Sequence, residues 1–201
     1  MKSKRECKAT IASMNLIAKH IRKVALGLDT GSVKDLVDEI IKAKKIFLMG
    51  AGRSGLAARA FAMRLMHVGF NVYVVGETTT PAVQVEDLVI AVSGSGETPS
   101  IANLGGIAKK IGSKLATITS NRDSTLGRIS DVVVVVPGRT KEDVNYKDYQ
   151  ERRMMGYPQL APLGTVFEIS ALVFLDAVIS ELMVRTGASE EELKARHTKF
   201  E

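Results

Sequence analysis

The sequence predicts a doubly wound, three-layer α/β sandwich on a five-stranded parallel sheet, with helical extensions at both ends. Three observations carry this expectation. Five short apolar runs, Ile46–Met49, Val72–Val75, Leu88–Val92, Leu115–Thr119 and Val132–Val136, are continuous rather than alternating, as strands buried on both faces are. Segments of helical character fall between them, so strand and helix alternate as a parallel sheet requires. The length of 201 residues suits one such domain, 1–201, with no second core, internal repeat or low-complexity tract.

The elements follow in order. The opening residues to about Gly27 are rich in Ala, Lys, Leu and Ile and read as one helix. A second is expected from Ser32, a favoured N-cap with Asp35 three residues on as a variant capping box. Val33, Leu36, Val37, Ile40 and Ile41 keep its helical period. After the first strand, Ser54–Val68 reads as a helix stopped by Gly69. After the third, Pro99–Ile111 is stopped by Gly112. Proline at a helix start loses no needed N–H, and glycine past the end turns the chain without steric cost. A short helical turn is expected near Ser124–Ile129. Gly138 to Gly164, polar and carrying Pro158 and Pro162, reads as a long loop. A buried helix, Val166–Arg185, and a charged one, Ser189–Lys199, close the chain.

Composition removes several classes of function. At 45% hydrophobic and 25% charged, the chain is an ordinary globular one. Its longest apolar stretch, TVFEISALVFLDAVISELMV, carries Glu168, Asp176 and Glu181. Charge at that density is costly in lipid, so the stretch is expected inside protein, with no membrane partner. The N-terminus has neither an uninterrupted apolar core nor a small-residue cleavage site, so no signal peptide is read. Cys7 is the single cysteine, which excludes an intrachain disulfide and fits a reducing, cytoplasmic setting. The net charge of +6 and pI of about 9.4 admit anionic partners. Nucleic acid is not expected among them. Only 5% of residues are aromatic, the basic residues are scattered, and no nucleic-acid-binding motif occurs.

Two glycine-rich loops draw the eye to one place. The first strand ends in GAGRSG, where Gly50, Gly52 and Gly55 match G-x-G-x-x-G between a strand and a helix. That is the setting of a dinucleotide site, and Glu77, after the second strand, stands where a ribose-binding acid would. The third strand ends in SGSGET, residues 93–98. In a flavodoxin-like sheet of order 2-1-3-4-5, the crevice lies between the carboxyl ends of strands 1 and 3, where these two loops would meet. A dinucleotide order would instead set strand 2 between them. Ser93, Ser95 and Thr98 supply hydroxyls, and Gly94 and Gly96 let backbone amides approach. Glu97, in the same loop, is read with them as part of the substrate- and phosphate-binding set. The helix from Pro99 adds its positive end, and Ser54 offers another hydroxyl from the first loop. Arg53, beside it, reads as a partner for phosphate or for a carboxylate, or as a surface arginine at a helix start. A tight βα turn with a serine cap would use the same residues. Two such loops at one switch point favour binding of a compact anion.

The segments KAKKIFLMGAGRSGLAARAFAMRLMHVGF, VVGETTTP, LVIAVSGSGETPS and LGTVFEISALVFLD, with the C-terminal ARHTKF, resemble the 6-phospho-3-hexuloisomerases of the sugar isomerase (SIS) domain family. The resemblance runs from about Lys42 to the C-terminus. GETTTP and the Arg196-His197 pair are its most specific features. It implies a five-stranded parallel sheet, a homotetramer, no metal or nucleotide cofactor, and a small sugar phosphate as partner. The reaction it implies is interconversion of 3-hexulose 6-phosphate and fructose 6-phosphate, used in the ribulose monophosphate pathway or in pentose supply. In one place the chain departs from the family: Thr165-Val166-Phe167-Glu168 stands where Thr-Thr-Phe-Glu is expected.

Moving a carbonyl from C3 to C2 needs one group to take a proton from C2 and return it at C3. Glu168 is the best base. On the last long helix Asp176 and Ser180 share one side, Ser170 and Glu181 another, and Glu168 falls on neither. Thr165-x-x-Glu168 also reads as a capping box with Glu168 at its third position, and the resemblance favours catalysis. His20 and His67 sit in helical segments and read as packing or surface residues. The resemblance implies that His197 reaches a neighbouring subunit's site to assist ring opening or polarise a carbonyl. Three other readings stay open. A nicotinamide reductase is one, although its Tyr-x-x-x-Lys is missing, Tyr149 being followed by Arg153. A sugar-phosphate sensor would be expected to carry an attached domain. The third is isomerisation of another sugar phosphate, such as an arabinose phosphate.

Overall fold

Alternate residues of the central strands serve two different cores. The computed structural model describes residues 7–138, 161 and 164–199. Its sheet comprises β1 (Ile46–Gly50), β2 (Val72–Val74), β3 (Leu88–Val92), β4 (Lys114–Thr119) and β5 (Val132–Val135). All neighbours pair parallel in the order β2-β1-β3-β4-β5. Ile46, Leu48, Leu88 and Ile90 face one layer, while Phe47, Met49, Val89 and Ala91 face the other. This is why the strands read as unbroken apolar runs.

The first layer holds α1 (Lys8–Gly27), α2 (Thr30–Lys42), α3 (Gly52–Val68) and α6 (Thr165–Thr186), whose Leu36, Phe61, Leu65, Phe167 and Leu175 are fully or almost fully buried. The second holds α4 (Pro99–Ile111) and α5 (Thr125–Ile129), through Ile101, Ala108 and Leu126. A short α7, Glu190–Ala195, follows α6. Gly69 and Gly112 end α3 and α4 in the left-handed conformation, as their sequence positions predict. Opposite the carboxyl edge, Asp87 fixes the strand starts. Its buried carboxylate pairs with Lys45 at 3.2 Å and accepts the Gln84 amide at 2.7 Å.

Four expectations are revised. Helix α2 begins two residues before Ser32, because Asp29 is the better cap: its carboxylate accepts the amides of Gly31 and Ser32. Ser32 lies inside the helix and donates its hydroxyl to the Asp29 carbonyl. Ser170 is not on a polar stripe of α6; it is 2% exposed, whereas Asp176, Ser180 and Glu181 face solvent. The final helix stops at Ala195 rather than Lys199, and the Arg196 guanidinium donates to the carbonyls of His67 and Val68 at the end of α3. It starts as expected at Ser189, in a capping box with Glu192. Helix α6 is capped by Gly164, not by Thr165. Most of Gly138–Gly164, with Pro158, Pro162, Tyr149 and Arg153, lies outside the described residues.

Candidate active site

Gly50, the last residue of β1, is level with Val92, the last of β3. The two loops therefore leave the sheet side by side at the point where the strand order reverses. In the first loop the outer glycines serve close packing. A Cβ on Gly55 would lie 2.7 Å from the Gly50 carbonyl oxygen, and one on Gly50 would meet Gly55 and Ser54 backbone at 3.0 Å. Only with hydrogen at both positions does α3 start this near the strand. That accounts for much of the G-x-G-x-x-G pattern without a dinucleotide. Glu77 is also occupied, its carboxylate 2.6 Å from the Arg59 guanidinium. Gly52 and Arg53 form the exposed first turn of α3, and Ser54 is half-buried behind them.

The second loop is clamped from both flanks. The Gly94 carbonyl accepts the Ser120 amide at 2.9 Å, the Ser120 hydroxyl at 2.8 Å and the Thr119 hydroxyl at 3.0 Å. Gly96 has φ +69°, and a Cβ there would collide with Ser124 Oγ. Its carbonyl accepts the Leu126 amide at 3.1 Å. Ser93 and Ser95 are buried, with Ser93 Oγ 3.5 Å from Thr98 Oγ1 and Ser95 Oγ accepting the Glu97 amide. The amides of Ser95 and Thr98 donate to no group among the described residues. Thr98 is the N-cap of α4, yet its side chain caps no amide, and Pro99 follows. Hydroxyls, unspent amides and a helix start thus converge in one short loop, as an anion cradle requires.

Glu97, in the same loop, is bonded to the start of α5. Its two oxygens accept the Thr125 amide at 2.8 Å and the Thr125 hydroxyl at 2.6 Å. The Thr125 hydroxyl first, then its amide, hold the Glu97 carboxyl below the usual glutamate range.

Glu168 arrives at the same carboxyl edge from α6. Gly164, in the left-handed conformation, is the N-cap, so Glu168 is the fourth residue of the helix rather than the third, and no capping box forms. The carboxylate instead accepts from Arg53 Nε and lies against Gly164. It is 11% exposed while the Arg53 side chain is 59% exposed. The switch-point loop and the start of α6 are thereby joined across 115 residues of sequence.

His197 does not join this group within one chain. Its ring stacks on His67 with centroids 4.9 Å apart, in a groove of about 540 Å³ that also takes in Arg64, Asp176, Ile179 and Met183. His67 lies fourteen residues beyond Arg53 on α3, about 21 Å along the helix. The other sequence-derived residues, Gly50, Gly52, Arg53, Ser54, Ser93 to Thr98 and Glu168, share the carboxyl edge. Among the described residues no cluster of His, Cys, Asp and Glu is suited to a metal ion, and no helix is long and apolar enough to cross a membrane. Two roles went unread in the sequence, Thr125 as the partner of Glu97 and Arg196 as a donor to the last carbonyls of α3.

Comparison with known proteins shows the family. The SIS domain matches residues 39–147, more than half of the chain. A Bacillus subtilis 3-hexulose-6-phosphate isomerase is 38% identical over 92% of this chain and 95% of its own. One from Methanocaldococcus jannaschii is 42% identical over 81% of this chain and 80% of its own. The crystal structure of a hypothetical Methanococcus jannaschii protein, from which a 3-hexulose-6-phosphate isomerase function was inferred, superposes with a TM-score of 0.77 at 36% identity, covering 94% of this chain and 98% of that one. The chain belongs to the SIS domain family, alongside the 3-hexulose-6-phosphate isomerases.

Proposed function

We propose that the protein interconverts 3-hexulose 6-phosphate and fructose 6-phosphate through an enediol. The observation that carries the proposal is the meeting, at one switch point, of a donor-rich anion loop and a carboxylate held by Arg53. The phosphate is taken by the hydroxyls of Ser93, Ser95 and Thr98 and the amides of Ser95 and Thr98. Gly50, Gly52, Arg53 and Ser54 close the other side of the crevice. Glu168 removes the proton from C2 of the 3-ketose, the C–H electrons form the C2=C3 bond, and the C3 oxygen is protonated. Glu168 then returns its proton to C3 as the C2 oxygen loses its own and becomes the carbonyl. Hydrogen only changes place, so the reaction needs no redox group.

The named relatives support the choice of substrate. His197 would serve a neighbouring copy in a homotetramer, because its own chain keeps it a helix length from Glu168. The cytoplasm and the ribulose monophosphate pathway are the setting we propose. The test is to offer purified protein a panel of sugar phosphates with no added cofactor. Conversion of 3-hexulose 6-phosphate and neglect of arabinose 5-phosphate is expected. The opposite preference would replace the substrate, and turnover only with a nicotinamide cofactor would replace the reaction.

A further inference from the structure

Glu97 poses a problem for any anion site. It is the one acidic residue in SGSGET, and a free carboxylate beside a phosphate dianion would repel it. The structure shows what holds that carboxylate. Both oxygens are spent on Thr125, the first residue of α5. The adjoining Gly96 carbonyl accepts the next amide of α5, from Leu126, and Gly96 packs on Ser124 with no room for a side chain. On the other flank Thr119 and Ser120 hold the Gly94 carbonyl. Ser95 is the residue left between the two clamps.

We infer that Glu97 is a positioning residue for the phosphate site rather than a ligand, and that the start of α5 is the buttress it acts through. The inference rests on the phosphate-site reading above and adds a device to it. The Glu97–Thr125 clasp fixes the loop before ligand arrives, so binding does not have to order it, and it commits both oxygens of the loop's only carboxylate to α5.

The test uses titration calorimetry with inorganic phosphate, steady-state kinetics and thermal melts on the full chain. Glu97→Ala should weaken phosphate binding about 10-fold and raise KM similarly, with kcat at saturation within about 2-fold. In Glu97→Gln the side-chain oxygen still accepts the Thr125 amide and its NH₂ can donate to the Thr125 hydroxyl, so binding should stay within about 3-fold of wild type. Thr125→Val keeps the amide bond and loses the hydroxyl one, so about 3-fold weakening is expected. Wild-type affinity in Glu97→Ala overturns the inference. So does Glu97→Gln as weak as Glu97→Ala, which would make the charge itself a ligand contact. If Glu97→Ala does not fold, Thr125→Val decides, and wild-type affinity there refutes the clasp. Failure of the wild type to bind phosphate or any sugar phosphate would instead strike the functional reading, and this inference with it.

Discussion

Replacing Glu168 by Gln separates chemistry from structure, because the site limits what each can lose. The carboxylate caps no helix amide, Gly164 being the N-cap. Its contact is with Arg53, whose side chain is 59% exposed. An ion pair open to water on one side contributes on the order of 1 kcal/mol or less, and Gln retains an oxygen to accept from Arg53 Nε. The melting temperature should therefore fall by at most about 2–4 °C for a chain of this size. Loss of a proton-transfer group costs about 10²–10⁴ in rate, or roughly 2.7–5.4 kcal/mol of barrier. The assay is steady-state conversion of 3-hexulose 6-phosphate by matched wild-type and Glu168→Gln proteins, with melts in parallel. A kcat down by that factor at near-constant KM is expected. A Glu168→Gln enzyme with near wild-type kcat refutes the assignment, and His197 becomes the next base to test.

Other consequences follow from the same geometry. Ser95→Ala removes one hydroxyl donor to a dianion, about 1.5–3 kcal/mol, so KM should rise roughly 10- to 100-fold while kcat holds; an unchanged KM would put Ser95 outside the site. Gly55→Ala drives a Cβ to 2.7 Å from the Gly50 oxygen, and the strand–helix contact should lose about 1–3 kcal/mol in denaturant melts; full stability would mean that the glycines are not there for packing. Burial raises the Asp131 carboxyl, but the Lys109 and Leu115 hydrogen bonds and the charges of Lys109 and Lys114 outweigh it, leaving the group below its ordinary 3.8. A depressed carboxyl stabilises the fold fully above its unfolded value and loses that contribution as pH falls through the folded one. Stability should decline below about pH 4, and less steeply in Asp131→Asn; parallel wild-type and variant curves would remove Asp131 from that account.

Sequence reasoning reached far where the determinants are local. Leu88–Val92 and Pro99–Ile111 are found with the bounds their residues predict, because a doubly buried strand and a helix between proline and glycine each announce themselves in a short window. It failed between equivalent local signals. Asp29 and Ser32 are both good caps three residues apart, and Gly31 hides the helical turn that lies between them. Thr165 and Glu168 have capping-box spacing, yet Gly164 takes the cap in a conformation that spacing alone does not reveal. The SGSGET loop stood out by its own glycines and hydroxyls. The contacts that hold it, and those that tie the first loop to α6, did not, since Glu97 meets Thr125 across 28 residues and Glu168 meets Arg53 across 115. His197 could be singled out by motif, but nothing local in the sequence places it against His67.

The most direct measurement is the fate of one hydrogen. Wild-type protein incubated with 3-hexulose 6-phosphate in D₂O, with no cofactor added, should yield fructose 6-phosphate. NMR should find deuterium at C3 in the wild-type product, delivered through Glu168 after exchange with solvent, and no such product from Glu168→Gln. Absence of conversion by the wild type, or labelled product formed equally fast by Glu168→Gln, would contradict an enediol isomerase working through this carboxylate.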